Sequence, residues 1–374
     1  MLDLNAITVP TLLLDKPRAR HNIRTMAAKA RRLGIRFRPH FKTHQSAAMG
    51  EWFRAEGVRA ITVSSLRMAE YFARAGWDDI TIAFPVNVRE IAAMARLAER
   101  VELGLLVDSE RTLDAVNAGI GAPVRIWLEA DAGYQRSGVD LADTEKLVLL
   151  AQRVASVPGY TLAGLLTHAG NSYGVQGRPA LEQLHRQTVA RLVGARDALE
   201  RASLSGLEIS IGDTPCCSVL DDLGPVDEMR PGNFVFYDWM QHQIGVCRED
   251  EIAVAVACPV VATYPARREV VVYGGAVHLS KEMLRRSDGS ADYGRVAPLT
   301  AAGWGETLPG VWLRSLSQEH GIIAAEGTAY AEQLADLAVG DLVAIVPIHS
   351  CLTADLLKRY TTLDGATIEM LRPW

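Results

Sequence analysis

The octapeptide RPHFKTHQ, residues 38–45, places Lys42 between His40 and His44. A lysine amine in that setting is either a solvated cation at a strand end or a nucleophile for a carbonyl carbon. Only six of the 39 basic residues are lysines, at positions 16, 29, 42, 146, 281 and 358. Lys29, Lys146 and Lys358 stand in polar-faced helical stretches and Lys16 precedes Pro17, which leaves Lys42 and Lys281 as candidate nucleophiles. Around Lys42, residues 36, 38 and 40 are Arg, Arg and His, while 35, 37, 39 and 41 are Ile, Phe, Pro and Phe. A strand with that alternation has one cationic and one apolar face. If helices cover it, the cations point into a sheet interior and require acidic partners or an anionic ligand. A phosphate-bearing cofactor with an aldehyde answers both the cations and the amine.

Further reactive side chains follow the same spacing logic. EADAGYQRSG carries Asp131 and Arg136, LTHAGNSY carries His168 and Tyr173, and SIGDTP and RPGNFVF offer small residues and hydroxyls whose backbone N–H groups can close on an anion. Taken singly, each also reads as structural: a satisfied histidine, a turn with a local ion pair, a glycine turn. Near the C-terminus, PIHSC gives His349 and Cys351 at i, i+2. On a strand both side chains share a face, and imidazole with thiolate favours Zn²⁺ over Mg²⁺. Two ligands suit a catalytic metal with open positions; a buried strand with incidental polar residues accounts for the pair equally well.

The elements that position these groups are read from hydrophobic period. Strand-like runs at 11–15, 35–42, 60–65, 79–84, 103–109, 124–133, 162–170 and 207–215 alternate with helical stretches, the first ending at Gly34 as a C′ residue. Eight such steps predict a (β/α)₈ TIM-type barrel over residues 1–245. Residues 246–374 read as a mostly β C-terminal domain, which the first few residues of the chain could equally join. Lys42, Asp131, Arg136, His168, Tyr173 and the Gly212–Thr214 turn all fall at strand ends, where a barrel of this kind builds its active site. A net charge of −5 over 374 residues leaves no basic field for nucleic acid. No 18-residue apolar run points to a membrane, and the N-terminal stretch has no leader-like pattern, so a cytoplasmic protein is expected. The five cysteines form no regular framework.

Together RPHFKTH, ADAGYQRSG, THAGNSY, GDTP, RPGNFVFYD, SQEHG and PIHSC resemble, in order and from about residue 8 to about 360, the D-serine dehydratase / D-threonine aldolase family. These are alanine-racemase-like enzymes that use pyridoxal 5′-phosphate (PLP). The resemblance implies a PLP-binding barrel, a β-rich second domain, a homodimer, and a small β-hydroxy D-amino acid as substrate. It assigns Lys42 as the Schiff-base lysine and Arg136 as the partner of the pyridine nitrogen. His168 and Tyr173 would line the cofactor, Thr214, Gly232 and Asn233 would contact its phosphate, and His349 and Cys351 would hold the metal. Zn²⁺ is the expected ion, with Mn²⁺ or Mg²⁺ as alternatives, because His-x-Cys is similar to the zinc-dependent dehydratases. The implied activity is D-serine dehydration to pyruvate and ammonia. Retro-aldol cleavage to glycine and an aldehyde is the alternative; racemisation or non-catalytic PLP carriage fits less well. Two positions depart from the family pattern, Leu166 where a tyrosine is usual and Gly274 where an aspartate is commoner.

Overall fold

The computed structural model describes residues 1–372, which divide into two compact units. One comprises Arg24–Lys42 and Met49–Gly232; the other comprises Met1–Ile23, Thr43–Ala48 and the chain from Asn233.

The first unit is an eight-stranded parallel sheet with helices between the strands. In spatial order the strands are Arg36–Phe37, Glu228–Met229, Glu208–Ile211, Tyr160–Leu166, Val124–Asp131, Glu102–Val107, Asp79–Pro85 and Ala60–Val63. A parallel bridge between His40 and Thr62 brings the two edge strands together, with Phe41 N–H donating to the Thr62 carbonyl at 2.8 Å. The ring therefore closes immediately before Lys42. Strands such as Ala60–Val63 and Glu102–Val107 are buried along almost their whole length, as parallel strands covered by helices must be. Ser65, Ser109, Asp143 and Asp213 each cap the helix that comes after a strand or loop, which fixes where the chain turns back. Gly34, at φ +68°, ends the Lys16–Leu33 helix in the left-handed conformation.

The second unit is built on an antiparallel ring. Val254–Tyr264 pairs through its first half with Leu342–Pro347 and through its second with Glu269–Tyr273. The circuit continues through His320–Ala325, Val311–Leu316 and Gly294–Thr300 back to Leu342–Pro347. Thr11–Leu14 runs antiparallel to Val254–Ala257 and parallel to Arg359–Thr362. Hydrophobic period makes this stretch the first barrel strand; it lies in the β-rich unit instead. Leu12, Leu13 and Leu14 are all buried, and a run buried on both faces carries no period that distinguishes one sheet from another. The eighth barrel strand is Glu228–Met229, two residues long and too short to leave a pattern.

The strand expected over 35–42 is regular only at Arg36–Phe37, and of its cations Arg36 and Arg38 find acidic partners inside the barrel. Arg38 is fully buried; its Nε donates to Glu228 Oε2 at 2.7 Å and its Nη2 to Asp79 Oδ2 at 3.0 Å. Arg36 pairs with Glu208 and reaches Glu228 at 3.5 Å. Burial alone would drive the Arg38 guanidinium toward neutrality, but Glu228 and Asp79 more than reverse that and hold it charged. Breaking one arm of a buried pair leaves an uncompensated charge, so Glu228→Gln is expected to cost about 3–5 kcal/mol, read as a lower urea midpoint. An unchanged midpoint would show that Asp79 suffices alone.

His44, in the second unit, is also fully buried, and burial lowers its pKa from 6.5 to about 3. As pH falls below 6.5 the unfolded chain takes up a proton that the folded chain refuses until about 3, so stability declines with pH across that window. A His44→Asn variant should show a shallower loss of urea midpoint below pH 6.5 than the parent protein; an identical slope would contradict the assignment.

Candidate functional site

Two groups of reactive side chains emerge, one in each unit. In the barrel unit the strand ends gather Lys42, His40, His168, Arg136, Arg230 and Glu129. His40 Nδ1 faces the Lys42 backbone N–H at 3.4 Å. Tyr134 and Tyr173 flank the His168 ring, each with its centroid 6.2 Å away. Asp131 Oδ1 accepts from Gly133 N–H at 2.8 Å and Gln135 N–H at 3.0 Å, shaping the loop that presents Arg136. That guanidinium is exposed and lies 5.6 Å from the Tyr134 ring centre.

Arg230 is placed quite differently. It is 2% exposed, donates through Nη2 to the Thr167 carbonyl at 2.6 Å, and donates through Nε to Ser210 Oγ at 2.6 Å. Ser210 Oγ in turn donates to Glu228 Oε1 at 2.8 Å, joining Arg230 to the barrel's charge network. Gly212 lies against the guanidinium: a Cβ there would sit 3.0 Å from Arg230 Nη1, so a side chain would have to push the cation aside. Sequence reasoning placed His40 on the inward cationic face but missed Arg230 and Glu129 as site groups. The period of two that singled out positions 36, 38, 40 and 42 also links 228 and 230, but only once Glu228–Met229 is known to be a strand.

The electrostatics of this rim are one-sided. His168 is lowered to about 3, first by burial and then by Lys42, Arg136 and Arg230, with a hydrogen bond to the Gly212 backbone opposing the shift. Burial and the same cations push His40 well below its ordinary value. Both imidazoles are therefore neutral at physiological pH. Burial lowers Arg230 to about 10 and raises the Glu129 carboxyl, whose Oε1 accepts from Ser137 Oγ at 2.6 Å. Lys42, Arg136 and Arg230 thus all bear on the two imidazoles, a setting that suits an anionic ligand. Buried polar atoms without a hydrogen-bond partner also mark the rim: Thr214 Oγ1, Ser172 Oγ and Asn171 Oδ1. Cations, neutral imidazoles, unsatisfied polar groups and an exposed amine fit PLP. Thr214 opens the Thr214–Val219 helix, and Gly232 ends the barrel unit.

The second group lies in the β-rich unit. The Leu342–Pro347 strand stops short of the PIHSC histidine, so the expected strand geometry does not hold. His349 instead sits at the N-cap position of the Ser350–Leu357 helix, and Cys351 is in its first turn. The two side chains still meet, for Cys351 and Asp238 outweigh burial and hold the His349 pKa well above its ordinary value. Cys351 Sγ lies 3.3 Å from Thr43 Oγ1 and 3.7 Å from Asn233 Nδ2. The resemblance puts Asn233 at the phosphate, but its amide is engaged here with Asp238, Ser350 and Cys351. His349 Nδ1 is buried without an aligned hydrogen-bond partner, and imidazole plus thiol is a donor set suited to a soft divalent ion. Among the described residues no group of three or more His, Cys, Asp or Glu is arranged around a metal. A metal here would take two protein ligands and leave positions open.

The remaining candidates fall outside both groups. Lys281 is exposed just after the short Ala276–Leu279 helix. Leu166 is buried at the end of its strand. At Gly274 a Cβ would lie 2.6 Å from Cys258 Sγ, so Cys258 fills the room an aspartate would need. Among the described residues no helix is long and apolar enough to cross a membrane.

Comparison with known proteins identifies the lineage. Residues 14–238 match the family described as "Alanine racemase, N-terminal domain", and residues 253–363 match "Putative serine dehydratase domain". The D-threo-3-hydroxyaspartate dehydratase of Delftia sp. (strain HT23) is 34% identical, with 99% of each chain covered. Its solved structure superposes over 100% of both chains with a TM-score of 0.88 at 31% identity. A cysteine-to-alanine variant of that enzyme, solved in a metal-free form, gives 0.90 at 31% identity, again over 100% of both chains. The D-serine dehydratase of Dictyostelium discoideum is 28% identical over 99% of this chain and 98% of its own. The D-threonine aldolase of Arthrobacter sp is 26% identical over 98% of this chain and 92% of its own. The chain therefore belongs to the D-serine dehydratase / D-threonine aldolase family of alanine-racemase-like, PLP-dependent lyases of β-hydroxy D-amino acids.

Proposed function

We propose that this lyase is a dehydratase of the D-serine dehydratase type, converting D-serine to pyruvate and ammonia with PLP on Lys42 and a divalent metal on His349 and Cys351. The observation that carries this reading is the His349–Cys351 pair, whose thiol is held by Thr43 and Asn233. A thiolate with an imidazole favours Zn²⁺, and the metal-free form solved for a relative implies a metal in the family. PLP supplies an electron sink and the metal a Lewis acid for the β-hydroxyl.

The chain's own residues do the remainder. The Lys42 amine would hold the cofactor and would serve as the base for the Cα proton. Arg136 or the buried Arg230 would be the cation that meets the pyridine nitrogen of the cofactor. His168 and Tyr173 bound the ring, His168 as a neutral imidazole that competes for no proton. Thr214, Gly232 and the Asn233 backbone hold the phosphate. A homodimer, which the resemblance implies, completes the proposal.

The second reading, cleavage of Cα–Cβ to glycine and an aldehyde, is favoured by the D-threonine aldolase relative. Incubation with D-serine, D-threonine and D-threo-3-hydroxyaspartate separates the two. Release of ammonia and a 2-oxo acid is expected; glycine with an aldehyde and no 2-oxo acid would overturn dehydration in favour of the aldolase. Chelation with EDTA should abolish turnover and Zn²⁺ or Mn²⁺ should restore it. Full activity after the metal is stripped would contradict a metal-assisted lyase.

A further inference from the structure

We propose that Asp238 is the positioning residue of the metal pair: its carboxylate holds the Nδ1 edge of His349 and leaves Nε2 free for a divalent cation. This rests on the reading of His349 and Cys351 as metal ligands.

Asp238 is fully buried, and its two oxygens serve different elements. Oδ1 accepts from Gln241 N–H at 3.0 Å and caps the Trp239–Ile244 helix. Oδ2 accepts from Ser350 N–H at 2.9 Å, Ser350 Oγ at 3.2 Å and Asn233 Nδ2 at 2.5 Å. One carboxylate thus caps its own helix and pins the start of the helix that carries Cys351. His349 Nδ1 lies 3.3 Å from the same Oδ2, short enough for charge attraction though not aligned as a hydrogen bond.

A carboxylate fixed by four donors cannot turn away, whereas the His349 side chain keeps 22% of its surface exposed. The imidazole therefore adapts to the carboxylate. With Nδ1 facing a buried anion, the proton kept when a cation displaces the other belongs on Nδ1, leaving the lone pair on Nε2, the arrangement in which a carboxylate orients a metal-binding histidine. The Asn233 amide links the two ligands, since it donates to Asp238 and also lies 3.7 Å from Cys351 Sγ. Helix capping alone does not explain an aspartate here, because asparagine caps a helix as well as aspartate does. Asp238→Asn can keep the cap through its amide oxygen, but it removes the charge that faces His349 and sets an amide N–H₂ against the three donors that meet Oδ2.

The test compares wild-type and Asp238→Asn enzyme, both loaded with PLP, stripped of metal and titrated with Zn²⁺ against a chromophoric chelator. The variant is expected to bind Zn²⁺ about 10–100-fold more weakly, with a weaker Cys351 charge-transfer band when Co²⁺ replaces zinc. Affinity within twofold of wild type would reduce Asp238 to a cap and overturn the proposal. Should the variant not fold, the Co²⁺-loaded wild type decides: a shifted, solvent-exchangeable proton on His349 Nδ1 supports the assignment, and coordination through Nδ1 overturns it. If wild type binds Zn²⁺ no better than His349→Ala, the metal reading itself fails and takes this proposal with it. Tight wild-type binding with an unaffected Asp238→Asn affinity sinks the Asp238 role alone.

Discussion

The barrel depends on one buried ion pair, Arg38 with Glu228, each side chain fully enclosed and bonded at 2.7 Å. Two charges that far from water are tolerable only if every remaining donor and acceptor is met. Asp79 meets the second edge of Arg38; Ser210 and Arg36 meet Glu228. Arg38 directly follows the Arg36–Phe37 strand, and the chain then bridges Thr62 at His40 before the turn that carries Lys42. The ion pair thus anchors the segment that leads, through the His40–Thr62 bridge, to the Lys42 amine.

The same logic recurs in the β-rich unit with a different carboxylate. Asp238, like Glu228, is fully buried and collects donors from several elements. Each anion stands two residues from a further group of the candidate chemistry or binds one directly: Glu228 precedes Arg230 by two, and Asp238 faces His349. Both carboxylates hold cations or donors in one geometry, a preorganisation that would cost reorganisation energy if left to water. In the barrel the outcome is a rim where Lys42, Arg136 and Arg230 surround two neutral imidazoles, with the amine exposed. In the other unit it is an imidazole and a thiol brought together at the start of a helix.

Much of this was legible in the sequence because period and chemistry coincide at RPHFKTH. Eight strand–helix steps predicted a barrel, inside which alternating cations required acidic partners or an anionic ligand, and the amine stood at the end of the run. The failures have physical reasons as well. Thr11–Leu14 is apolar on both faces, so nothing in it tells a parallel barrel from an antiparallel sheet. Glu228–Met229 has only two residues, below any period, and hiding that strand hid Arg230 too. PIHSC resembles a strand end because Pro347 and Ile348 continue the apolar run. The helix begins only where Asp238, 112 residues earlier in the chain, accepts from the Ser350 N–H, and no local pattern carries that information. Leu166 and Gly274 are departures visible in the sequence, but only packing explains the second, through Cys258.

The chemistry proposed for the barrel rim turns on Lys42 as the amine that carries the cofactor, and one measurement addresses it directly. Reduction of the PLP-loaded protein with borohydride, followed by proteolysis and mass mapping, should place a single pyridoxyl group on the peptide containing Lys42. A pyridoxyl group on Lys281 or any other lysine, with Lys42 unmodified, would contradict that role.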